Sequence, residues 1–77
     1  MTTQELIVKM EEYFNHEYNQ TKRILSNPPR WLTNPLETKS STLQRCLGIT
    51  FFAQELGVPF DEIESRYYEL REKVEKL

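Results

Sequence analysis

The stretch Leu43-Gln44-Arg45-Cys46-Leu47-Gly48-Ile49-Thr50-Phe51-Phe52-Ala53-Gln54-Glu55-Leu56-Gly57-Val58-Pro59-Phe60 decides the fold. Leu43, Cys46, Leu47, Ile49, Phe51, Phe52, Ala53 and Leu56 carry apolar groups around most of a helix's circumference, the pattern of an element covered on several sides. This helix is therefore expected to be the central, most buried one. Gly57 ends it, because glycine accepts the left-handed geometry that follows a helix, and Pro59 suits the first turn of the next. Gly48 costs about 1 kcal/mol of helix propensity against alanine, which a close crossing by another helix at that point would explain.

Upstream, Asn34-Pro35-x-Glu37 reads as a helix start with Asn34 as N-cap and Pro35 at the first helical position. Ser41-x-x-Gln44 offers a second start by the capping-box logic, so the helix begins either at Pro35 or, after a single turn, at Thr42. Downstream, Phe60, Ile63, Tyr67, Leu70, Val74 and Leu77 keep a strict three-four spacing, the seam of a coiled-coil-like surface, flanked by Glu64 and Arg71 on one side and Arg66 and Lys73 on the other.

At the other end of the chain, Thr2-x-x-Glu5 forms a capping box, and Leu6, Ile7, Met10, Tyr13, Phe14, Tyr18, Thr21, Ile24 and Leu25 recur at helical intervals. Asn27-Pro28-Pro29 stops that helix, since proline lacks the N–H and disfavours helical geometry in the residue before it. Pro28 to Thr33 then makes a short stiff loop in which Trp31 and Leu32 are too apolar to be left in water without reason. The expected fold is all-α, a small three-helix bundle in one domain over residues 1–77. Its helices lie near 3–26, 35–56 and 59–77, the last two joined by a tight turn. Its expected centre is Leu43, Leu47, Phe52, Ala53, Leu56, Ile63, Tyr67 and Leu70, with Met10 and Phe14 contributing from the first helix.

The segment Ile49 to Tyr68 resembles a helix-turn-helix, with Ala53 in the first helix, Leu56-Gly57-Val58 in the turn and Ile63 in the second helix. The resemblance covers about 20 residues and implies a steep corner and a recognition helix. That helix departs from the family's pattern, presenting Phe60, Asp61, Glu62, Glu64 and Ser65 where phosphates and base edges call for basic or amide groups.

A chain of 77 residues has room for one core and buries only about 60% of its unfolded surface, so self-association is a natural supplement to stability. The lone Cys46 cannot form an internal disulfide, no apolar run approaches a membrane span, and Met1-Thr2-Thr3-Gln4-Glu5 lacks the features of a signal peptide, which together suggest a reducing, cytoplasmic setting without membrane contact. One histidine and one cysteine do not make a metal site; Cys46 reads as an inert buried thiol and His16 as an exposed helix residue. Glu11/Glu12 and Asp61/Glu62 are neighbours that point apart on a helix, and two glycines rule out a glycine-rich phosphate loop. Neither an enzyme nor a cofactor is expected.

Charge divides unevenly within a net of -2: residues 22–45 carry five basic groups against Glu37, while both flanks are acidic. Lys22, Arg23, Arg30, Lys39 and Arg45 around Trp31 form a basic and aromatic patch of the kind that holds single strands, or, in the plainer reading, a solubilising surface with Trp31 closing one end of the bundle. The preferred reading is an interaction module that binds a protein partner or itself as a homodimer. Its expected surface is the third-helix seam of Phe60, Ile63, Tyr67, Leu70, Val74 and Leu77, which extends over about 27 Å. That is more than a middle helix starting at Thr42 could cover, although a first helix folding back over the seam would make it internal. The alternative is a nucleic-acid-binding accessory or regulatory protein.

Overall fold

The computed structural model describes residues 1–77 and consists of three helices without strands: α1 (Thr3–Ser26), α2 (Pro35–Glu55) and α3 (Phe60–Glu75). The capping box closes α1 as expected, with the Glu5 N–H donating to Thr2 Oγ1 at 3.1 Å and the Thr2 N–H to Glu5 Oε1 at 3.3 Å. Between Pro35 and Thr42 the two possible starts of α2 resolve in favour of the first. Asn34 Oδ1 accepts the Leu36 N–H at 3.0 Å, Pro35 occupies the first turn, and the helix continues unbroken through Ser41.

At the other end of α2 the Val58 N–H reaches back to the Ala53 carbonyl and the Gly57 N–H to that of Gln54, with Gly57 at φ 103°. This paired closure satisfies carbonyls that the helix end would leave open, and it folds Val58 into the core beside Ala53. Pro59 then caps α3.

The turn makes a hairpin rather than a steep corner. The molecule measures 43 × 17 × 17 Å, and α3, at about 24 Å long, cannot cross a 17 Å width; it runs back along α2. Lys39 near the start of α2 donates to the Glu75 carbonyl at the end of α3 at 3.2 Å, fixing the antiparallel arrangement over its full length. The helix-turn-helix resemblance at Ile49 to Tyr68 therefore does not extend to its geometry.

The core consists of Ile7, Met10 and Phe14 from α1, Cys46 and Ala53 from α2, Val58, and Ile63, Leu70 and Val74 from α3. Five of the expected central residues, Met10, Phe14, Ala53, Ile63 and Leu70, are there, and Leu43 and Tyr67 pack against its edge. Leu47, Phe52 and Leu56 are not: all three are exposed, Phe52 to 64%. The stripe that α2 turns inward is Thr42, Cys46, Thr50 and Ala53. These are small residues at intervals of four, four and three, and they let the large side chains of α1 and α3 come close while α2's own bulky residues stand to either side. The apolar circumference of α2 misleads here, because in a three-helix bundle each helix buries one stripe.

The buried hydroxyls are satisfied locally. Thr42 donates to the Thr38 carbonyl at 3.0 Å, Thr50 bonds the Leu47 carbonyl, and Thr21 of α1 meets both the Glu17 carbonyl and Thr42 Oγ1 across the interface. Gly48 has open space where a Cβ would be, so no helix crosses there.

Candidate functional site

The expected interaction seam splits between inside and outside. Ile63, Leu70 and Val74 are core residues, Val74 with no exposed surface at all, and Leu77 and Tyr67 are half-buried; Phe60 alone stands out, 58% exposed. The far end of the seam is covered within the chain because α2 starts at Pro35 and α1 runs to Ser26, so helices lie beside the last turns of α3. Lys73 over the Tyr18 ring, 5.4 Å from its centroid, ties α1 to α3 there, and Arg66 bridges Glu11 and Glu62 nearer the middle. The third-helix seam is thus the inner side of the bundle, and its buried members are not available to a partner.

The basic and aromatic patch also divides. Arg45 donates from Nε and Nη2 to a single Glu17 oxygen at 3.1 and 2.9 Å; this holds its guanidinium charged and compensates a carboxylate that is almost fully buried. Lys39 is engaged with the Glu75 carbonyl. Lys22, Arg23 and Arg30 are exposed and in no ion pair, and Trp31 is 77% exposed on the loop between α1 and α2 rather than closing the end of the bundle.

The surface that sequence reading passed over lies between α2 and α3 on the side away from α1. One half is a cavity of about 590 Å³ lined by Leu36, Leu43, Leu47, Tyr67 and Arg71 among others; the other, about 170 Å³, is lined by Leu47, Phe51, Phe60, Tyr67 and Tyr68 among others. Leu47 and Tyr67 belong to both, so the two form one groove. Leu36, Phe51, Phe60 and Tyr68 along it are more than half exposed. The signal was present in the sequence as Leu36, Leu43, Leu47 and Phe51, at helical intervals of seven, four and four on the face beside the small-residue stripe.

The groove's charged groups are few and divide by end. Lys39, and Arg71 with its intrahelical partner Glu75 at 3.0 Å, sit at the Leu36 end; Glu64 sits at the Phe51–Phe60 end. Cys46 lies in α2's small stripe within the core, away from the groove, and burial followed by the nearby Glu17 charge pushes its thiol up to about 11. His16 is exposed. No three metal-ligating side chains converge, and no helix is long and apolar enough to cross a membrane. No protein-family model matches the chain, and comparison with curated proteins and with solved structures found no match.

Proposed function

We propose that this chain is a cytoplasmic, non-catalytic interaction module that binds protein through the outer α2–α3 groove. One observation carries the reading: the bundle buries only the small stripe of α2 and leaves Leu36, Leu47 and Phe51 facing outward beside Phe60 and Tyr68. A continuous strip of large apolar side chains costs solubility unless a partner covers it, and an apolar groove between two helices is the standard receptor for an amphipathic helix.

Phe51→Glu tests it. The charge falls outside the core, so the dilute protein should keep its helical content and melting temperature, while cross-linking in cells to another chain, like or unlike, should be lost. Unchanged cross-linking would refute the reading, and a collapse of helical content would show that Phe51 belongs to the core.

A second reading rests on Trp31, exposed beside Arg30 on the loop that follows α1, with Lys22 and Arg23 unpaired near the end of that helix: stacking plus cations would hold a single-stranded nucleic acid weakly. Its measure is quenching of the single tryptophan's fluorescence by an oligonucleotide, lost at raised salt.

A further inference from the structure

Resting on the interaction-module reading, we infer that the occupant of the α2–α3 groove is a second copy of this chain. It lies antiparallel, with α2 against α2 and α3 against α3 across a twofold axis that runs at right angles to the helices.

Two observations select this occupant. The first is charge. The groove carries Lys39, Arg71 and Glu75 at one end, a net positive charge, and Glu64 alone at the other. Two such faces can pair about a twofold axis in two ways. An axis parallel to the helices lays like end on like end. An axis across them lays each anionic end on the other copy's cationic end, and only this arrangement is complementary. The groove-facing part of α3 runs from Phe60 to Glu75, with its midpoint between Tyr67 and Tyr68. Reversal about that point sets Glu64 opposite Arg71 of the other copy, and Arg71 opposite its Glu64. On α2 the same axis passes by Leu47, which with Tyr67 lines both halves of the groove, so Leu47 meets its own counterpart and Leu43 lies opposite Phe51 of the other copy.

The second observation is that the bundle covers α2 along its small stripe and leaves the large apolar side chains on the groove side, Leu36, Leu47 and Phe51, in water. With a second copy on the groove, the Leu36, Leu47 and Phe51 side is covered as well, and only the Phe52 and Leu56 flank of α2's large apolar side chains stays outside. The area is sufficient. A standard interface takes about 800 Å² from each partner, roughly a seventh of the 5572 Å² that this chain exposes, and one of the bundle's three lateral faces supplies that.

The experiment is sedimentation equilibrium of the purified full chain from micromolar to millimolar concentration, with circular dichroism as the control for folding. The parent should approach twice its 9.3 kDa. Glu64→Arg and Arg71→Glu should each weaken the dimer tenfold or more, because each sets like charges face to face at two symmetric places. The double variant should restore dimerisation, since each reversed residue then meets its reversed counterpart in the other copy.

A parent that stays monomeric across the range overturns the proposal. So does a dimer that the double variant fails to restore, which would mean a different pairing. If the monomeric parent still loses a cross-linked foreign protein on Phe51→Glu, the second copy is the wrong occupant while the interaction-module reading survives. If Phe51→Glu changes neither, both fall.

Discussion

Phe14 and Phe52 are the same side chain in opposite situations, and truncating each to alanine measures where the core lies. Phe14 is 4% exposed and sits within the cluster formed by Met10, Leu70 and their neighbours. Its removal loses the transfer free energy of a buried ring and leaves a cavity that a close-packed bundle can only partly collapse, about 3 to 5 kcal/mol. Phe52 borders the α1–α2 groove near Leu6 and Tyr13 and keeps nearly two thirds of its surface in water. The ring then contributes about a third of a full burial and leaves no enclosed hole, so the expected loss is about 1 kcal/mol.

At roughly 4 to 8 °C per kcal/mol for a domain of this size, Phe52→Ala should melt within about 8 °C of the parent, while Phe14→Ala should melt at least about 12 °C lower or be unfolded at room temperature. Urea unfolding followed by circular dichroism gives the same ordering in free energy. Phe52 also lies off the α2–α3 groove, so self-association does not blur the comparison. Equal losses for the two variants, or a larger one for Phe52→Ala, would refute the arrangement in which α2 buries its small stripe and not its aromatic side.

Two further outcomes follow from the interior of α2. Cys46 should resist iodoacetamide at pH 8 in the folded protein and react readily in urea, since burial both shields the thiol and holds it protonated. Because its folded pKa of about 11 lies above the ordinary thiol value, the stability it contributes is complete below about pH 9 and drains away as the pH rises from there through 11. Burial raises Tyr13 and Tyr67 above their ordinary value of 10 in the same sense, so their share is lost from pH 10 upward and the melting temperature should fall from about pH 9, less steeply in Cys46→Ala. Gly48→Ala should raise the melting temperature by the equivalent of about 1 kcal/mol, because a Cβ there meets nothing within 4 Å; a drop would mean that a neighbouring surface approaches Gly48 after all.

Element boundaries were legible because they rest on local chemistry. Thr2 with Glu5, Asn34 with Pro35, and Gly57 before Pro59 each solve the problem of unpaired backbone groups within a few residues, and such solutions can be read without knowing the rest of the chain. The choice of inward face on α2 is not local. Hydropathy favours Leu47, Phe52 and Leu56 for the interior over Thr42 and Thr50, but the threonines bond their own helix carbonyls and so enter at little polar cost, while their small size brings the helices closer together. The cover over Val74 could be read only as one of two alternatives, since it depends on α2 starting at Pro35 and running the length of α3, a consequence of which of two adequate caps the whole bundle selects.

The same division explains why the apolar stripes of α1 and α3 stood out in the sequence, although α3's was expected to face a partner, and why the inward stripe of α2 did not. Ile7, Met10 and Phe14, like Ile63, Leu70 and Val74, form single apolar stripes opposite charged faces, so each helix has one inward orientation available. On α2 the candidates are three: the small stripe and the two bulky flanks, Leu43, Leu47 and Phe51 on one side and Ile49, Phe52 and Leu56 on the other. Choosing either flank would bury more apolar area within the chain, but it would force α1 and α3 apart around large side chains and expose the small stripe to no purpose. Choosing the small stripe gives a closely packed bundle and leaves two bulky flanks outside. Of these, the Phe52 flank is partly covered by Leu6 and Tyr13 of α1, whereas the Leu47–Phe51 flank has no third helix over it, and the charges that border it, Glu64 at one end and Lys39 with Arg71 at the other, are complementary to their own reversal.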